Sequence, residues 1–194
     1  MDYGRYSPGL PRAFKIIVAG GFGAGKTTAV GSISEIQPLI TEEVLTGASV
    51  GVDDTFGVEH KRTTTVALDF GRITIADDLV LYLFGTPGQN RFLFVWDELA
   101  HGAIGAVIIA DTRRLEDCFF CIDYFEQLGT PIVIAVNCFE GARRFEIEEI
   151  RQALSLDGSV PILHFDARRR ESVKQVLIAL MEHLMTRPVL AVFE

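Results

Sequence analysis

Cysteine is scarce in this chain: three residues, Cys118, Cys121 and Cys138, among 194. That is too few for a disulfide-built scaffold. Cys118 and Cys121 fall in a stretch of helical periodicity with no further ligands at metal-binding spacing, so they read as buried thiols. Positive charge is the second shortage. Eighteen Lys and Arg against 26 Asp and Glu leave a net charge of −8, and nucleic-acid binding, which draws on clustered cations to neutralise phosphates, is disfavoured. Long apolar runs are also missing. None approaches the roughly 18 to 20 residues needed to cross a bilayer, and the longest, Ala103 to Ala110, has the length of a buried strand. Neither MDYGRYSPGLPR nor RPVLAVFE holds a signal-peptide stretch or a prenylatable cysteine. The expected location is cytoplasmic, with any membrane association made through partners.

What is present suits one packed domain, since 48% of residues are apolar and 23% charged. The expected limits are a tail over 1–12, a domain over 13–187 and a second tail over 188–194. Apolar runs at FKIIVAG, Thr65 to Ile75, Leu79 to Phe84, Ala106 to Ala110, Ile132 to Val136 and Pro161 to Phe165 read as six strands. The second and third of these pair antiparallel across the turn Ala76-Asp77-Asp78. Leu115 to Leu128 carries Phe119, Ile122 and Phe125 on one helical face, and Ser172 to Met185 repeats Val173, Val176, Leu177, Leu180, Met181 and Leu184. This alternation predicts an α/β fold, a mostly parallel sheet with helices on both faces and a ligand beyond the carboxyl ends of its strands. The segment from Gln37 to Thr64 shows few patterns and has the length of a movable switch.

Residues 20–27, Gly-Gly-Phe-Gly-Ala-Gly-Lys-Thr, match G-x-x-x-x-G-K-[ST] between the first strand and its helix. In such a loop the backbone N–H groups close around phosphate oxygens, the lysine adds a point charge and the threonine hydroxyl meets Mg²⁺. The candidate nucleotide-binding residues are therefore Gly21, Phe22, Gly23, Ala24, Gly25, Lys26, Thr27 and Thr28. Lys26 is a candidate catalytic group and Thr27 a candidate metal ligand.

From about Ala13 to Met185 the chain resembles the Ras-like small GTPases, P-loop NTPases whose G domain has a six-stranded sheet with one antiparallel strand. The resemblance implies GTP or GDP as ligand, Mg²⁺ as cofactor and slow hydrolysis of GTP in a molecular switch; the alternative is a nucleotide-binding interaction module with little turnover. It assigns Thr65, with Thr63 and Thr64 adjacent, to the switch threonine that meets Mg²⁺ and the γ-phosphate. Gly85-Thr86-Pro87-Gly88-Gln89 stands at the second switch, where Gly88 would bind the γ-phosphate and Gln89 orient the attacking water. Gly85 occupies the place of the family's acidic residue. This TPGQ form is most similar to bacterial proteins of the MglA and conservon type, which implies a roadblock-fold regulatory partner and a downstream effector. Asp69 is a candidate replacement for the missing acid, a solvated strand carboxylate being the alternative. Asn137-Cys138-Phe139-Glu140 stands at the Asn-Lys-x-Asp base motif, with Asn137 and Glu140 as base-recognition residues and Phe139 as a candidate cover for the ring. The Ala167 N–H would reach guanine O6. Phe22 at the third loop position argues against an incoming arginine from a partner, which makes Arg62 a candidate internal one, a surface arginine in a mobile loop being the alternative.

Overall fold

The computed structural model describes residues 11–37, 39–46, 63–88 and 94–186. Arg62, Gln89, residues 1–10 of the expected first tail, residue 187 and the whole expected second tail, 188–194, lie outside them. Among the described residues seven strands form one sheet: β1 (Arg12–Gly20), β2 (Leu39–Thr46), β3 (Thr63–Ala76), β4 (Leu79–Gly85), β5 (Ala103–Ala110), β6 (Ile132–Asn137) and β7 (Ile162–Phe165). Their order is β2-β3-β4-β1-β5-β6-β7. The strands β4, β1, β5, β6 and β7 run parallel, while β3 lies antiparallel to both β2 and β4. All six strands expected from the sequence are present. The seventh, β2, lies in the segment whose pattern suggested only a long switch loop.

Among the described residues five helices complete the α/β fold: α1 (Lys26–Ile33), α2 (Phe94–Ala100), α3 (Asp117–Gln127), α4 (Ile147–Ala153) and α5 (Arg170–Thr186). A strand covered on both faces must be apolar at every position, and the buried half of β1, Ile16 to Gly20, satisfies this. Ile16 and Val18 join the core shared with α1 and α5, whereas Ile17 and Ala19 join the core under α2, α3 and α4. In α5 the expected stripe faces inward: Val173, Val176, Leu177, Leu180 and Leu184 are buried, with Met181 packed at the edge. One helical assignment is corrected. Phe119 is 43% exposed, and Cys118, Ile122 and Phe125 form the buried stripe instead, because spacings of four and three place those positions on one face. Burial pushes the Cys118 thiol up to about 12 and that of Cys121 up to about 11. Thiols held so far above neutral pH are inert nucleophiles. No helix among the described residues is long and apolar enough to cross a membrane.

Because five strands share one direction, the segments after β1, β4, β5, β6 and β7 gather beyond one edge of the sheet. The glycine loop leaves β1 at the centre of that edge, where the chain order reverses and open sheets of this kind hold their ligands.

Candidate functional site

The loop from Gly20 to Gly25 is braced from several directions. Gly25 has φ +110° and begins α1 in the left-handed region; a Cβ there would stand 2.6 Å from Asn137 Nδ2. Glycine alone satisfies both conditions. The approach lets buried Asn137 donate from Nδ2 to the Ala24 carbonyl at 2.9 Å, while its Oδ1 accepts the Ala167 N–H at 3.2 Å. One side chain thus ties the phosphate loop to the segments after β6 and β7. Asn137→Ala leaves two buried backbone groups unpaired, each costing about 1–3 kcal/mol. Urea unfolding should show a loss of about 2–6 kcal/mol by the same reckoning; an unchanged midpoint would mean the brace is idle.

Lys26 opens α1 and is 8% exposed. Its ammonium donates to the carbonyls of Gly20 and Gly21, both at 2.8 Å, which leaves one of its three donors for the interior of the loop. Burial lowers its pKa below the usual lysine value, against the opposing pull of Cys121, Asp69 and Asp117. Thr27 and Thr28 are exposed in the first turn of α1, and Phe22 is 66% exposed.

Opposite Thr27 stands Asp69. It is 7% exposed, so the solvated-carboxylate alternative is set aside, and its Oδ2 accepts the Thr27 hydroxyl at 2.8 Å. The register explains the contact. Asp69 on β3 lies directly across from Gly85 on β4, and a Cβ at Gly85 would fall 2.8 Å from both Cβ and Oδ2 of Asp69. The absent side chain at Gly85 is therefore the space that the Asp69 carboxylate occupies. The donor set fits Mg²⁺, a hard cation that takes oxygen ligands and relies on carboxylates and phosphates together. Here a hydroxyl and a buried carboxylate already meet beside the phosphate loop.

After β4, the Thr86 N–H donates to the Val18 carbonyl at 2.9 Å and Trp96 Nε1 donates to the Pro87 carbonyl at 3.3 Å. These two bonds lay Gly88 against the loop: a Cβ on it would stand 2.7 Å from Lys26 Nζ and 2.9 Å from Phe22 N. Gly88 is thus brought to the phosphate loop. Thr65 is not. It pairs with Val44 in the β2–β3 ladder, four residues along β3 from Asp69 and hence about 13 Å away at the usual strand rise.

Cys138, Phe139 and Glu140, but neither Asn137 nor Ala167, line a cleft of about 410 Å³ together with Asp166, Arg168 and neighbouring residues. Glu140 is exposed there. Phe139 has one face covered by the Arg113 guanidinium, 3.9 Å from its centroid, and Arg113 is in turn bonded to buried Asp111. Sequence reasoning missed that stack. In the loop after β7, Arg168 grips Asp166 through two bonds of 2.9 Å and holds its carboxyl down at about 2. Arg170 donates to the Ile33 carbonyl at the end of α1. Both arginine side chains are thus engaged by neighbouring structure.

A parallel central strand, a glycine loop with a buried lysine at the helix start, and a turn laid across that loop define a nucleotide-binding P-loop NTPase-like G domain. The family model described as conserved hypothetical ATP binding protein matches residues 18–187, and the chain belongs to that family. Over 100 residues it is 31% identical to an uncharacterized protein of Methanocaldococcus jannaschii. That match covers 52% of each chain, so the two align over about half of either length. In fold, the chain is similar to the G domain of the T. maritima FeoB iron transporter, with a TM-score of 0.61 at 15% identity, over 89% of this chain and 99% of that one.

Proposed function

We propose that this protein binds GTP and GDP with Mg²⁺ at the phosphate loop and hydrolyses GTP slowly, as a switch of the MglA and conservon type. The observation that carries the reading is the Thr27–Asp69 hydrogen bond in the space left by Gly85. A carboxylate behind the loop threonine stands where the second switch lacks its acid, which supports a metal-dependent G domain. Bound there by Thr27, with Asp69 behind it, Mg²⁺ would neutralise charge on the phosphates.

In this reading the loop amides and the third donor of Lys26 hold the polyphosphate, and Gly88 stands where its N–H can meet the terminal phosphate. Gln89 orients the attacking water. Thr65 joins the site only if the start of β3 parts from β2 and folds back toward Thr27, which makes the β2–β3 ladder the moving part of the switch. Arg62, three residues before Thr65, would travel with it and add positive charge. The partner implied is a roadblock-fold regulator, with an effector reading the β2–β3 arrangement.

For the base, Glu140 offers paired acceptors to the N1 and N2 donors of guanine, a contact worth about 1.5–3 kcal/mol. Adenine lacks that pair of donors. The Ala167 N–H would share its existing bond to Asn137 with O6. The family's description names ATP, so base choice is the first thing to measure. In Mg²⁺, calorimetric competition should rank GTP at least about tenfold above ATP, the value of one such contact. Multiple-turnover phosphate release should then be slow, on the order of 10⁻⁴ to 10⁻² s⁻¹ as in unassisted G domains. Tighter binding of ATP would overturn the guanine assignment, and binding without release would make the protein an interaction module.

A further inference from the structure

We propose that Arg114 is a positioning residue of the phosphate loop: by holding the Phe22 carbonyl from outside, it aims the Gly23 amide at the polyphosphate. The proposal rests on the nucleotide-binding reading above. Arg114 stands just before α3, its N–H bonded to the Asp111 carbonyl at 2.9 Å and its own carbonyl accepting the Asp117 N–H at 3.2 Å. From this fixed turn its Nη2 donates to the Phe22 carbonyl, and lies 3.4 Å from where a Cβ of Gly23 would be. Its Nε is 3.9 Å from Asp117 Oδ2, and that carboxyl group lies so close over Gly21 that any side chain there would collide with it. A cation and its counter-ion therefore flank the loop together.

The guanidinium approaches from behind. Arg114, Asp117, Trp96, Phe120, Phe22 and Gly88 border a cavity of about 380 Å³ whose lining, among the described residues, includes neither Lys26 nor Thr27. In a trans peptide the C=O and N–H point in opposite directions. A Phe22 carbonyl drawn toward α3 thus turns the Gly23 N–H away from α3, toward the phosphate side. A cation on the carbonyl also polarises that peptide and strengthens its N–H as a donor. Lys26 acts from inside the loop and Arg114 from outside.

The test uses the full chain with Arg114→Ala and Arg114→Lys, measuring GDP and GTP binding in Mg²⁺, single-turnover hydrolysis and thermal unfolding. Arg114→Ala should weaken both nucleotides about tenfold, the loss of one charge-assisted bond's worth of orientation, with an unchanged melting temperature. Millimolar guanidinium ion should restore part of the loss, and Arg114→Lys should fall between. Parent and Arg114→Ala binding within twofold of each other would overturn the positioning role. So would an affinity loss that tracks a lower melting temperature and resists guanidinium, which is the signature of a structural tether. A parent that binds neither nucleotide would overturn the nucleotide-binding reading itself, and this proposal with it.

Discussion

Gly85→Asp, which writes in the acidic residue that Ras-like GTPases carry at this place, should cripple the protein, and adding Asp69→Gly should repair it. The new Cβ would arrive 2.8 Å from Cβ and Oδ2 of Asp69, inside the van der Waals limit and in a pocket where Asp69 is 7% exposed. Neither neighbour yields easily, because Asp69 and Gly85 are paired residues in a central ladder. Overpacking costs about 1–3 kcal/mol. Two carboxylates in one buried site add to it, since one must take up a proton or the strands must part. A combined cost of about 3–5 kcal/mol lowers the melting temperature by roughly 10 °C in a domain of this size. In the double variant the carboxylate returns on β4 and the glycine moves to β3, so both the steric and the electrostatic conflict disappear. Melting temperature and Mg²⁺-dependent GDP affinity should both recover beyond either single variant. A Gly85→Asp protein as stable as the parent would show that the two positions do not share one space.

That shared space was only half legible beforehand. The sequence pointed to Asp69 and to the missing acid at Gly85, yet left a solvated strand carboxylate as the alternative, because neither strand alone records which residues face each other across the sheet. Counting back from the turn pairing of Ala76 with Leu79 would set Gly85 against Phe70. The irregularity between Thr74 and Ala76 shifts the ladder by one residue and brings Asp69 opposite Gly85; a one-residue shift exchanges the faces of a strand. The phosphate loop was legible because its chemistry is local: strand, glycines, lysine and helix start lie within one short stretch. Strand β2 was not, since LITEEVLT has no clean alternation and owes its form to pairing with β3. Arg114 was invisible for a related reason. Its bond spans 92 positions of sequence, and a lone arginine before a helix announces nothing about the carbonyl it will meet.

Lys26→Ala should reduce affinity for GDP and GTP by about a hundredfold or more, the largest effect on binding expected from any single change. A charge-assisted hydrogen bond contributes about 1.5–3 kcal/mol, and the ammonium also supplies a full charge in a site of low polarisability. The fold should survive. Burial already acts against the charged form of Lys26, so truncation relieves that cost while releasing the Gly20 and Gly21 carbonyls to entering water. Lys26→Arg should not rescue binding, although it keeps the charge. A Cβ on Gly88 would stand 2.7 Å from Nζ and 2.9 Å from Phe22 N, which leaves no room for a planar fork larger than an ammonium. Calorimetry with the parent, Lys26→Ala and Lys26→Arg, alongside urea unfolding, separates lost binding from lost structure. If all three proteins bind GDP alike, the buried ammonium does not face a phosphate.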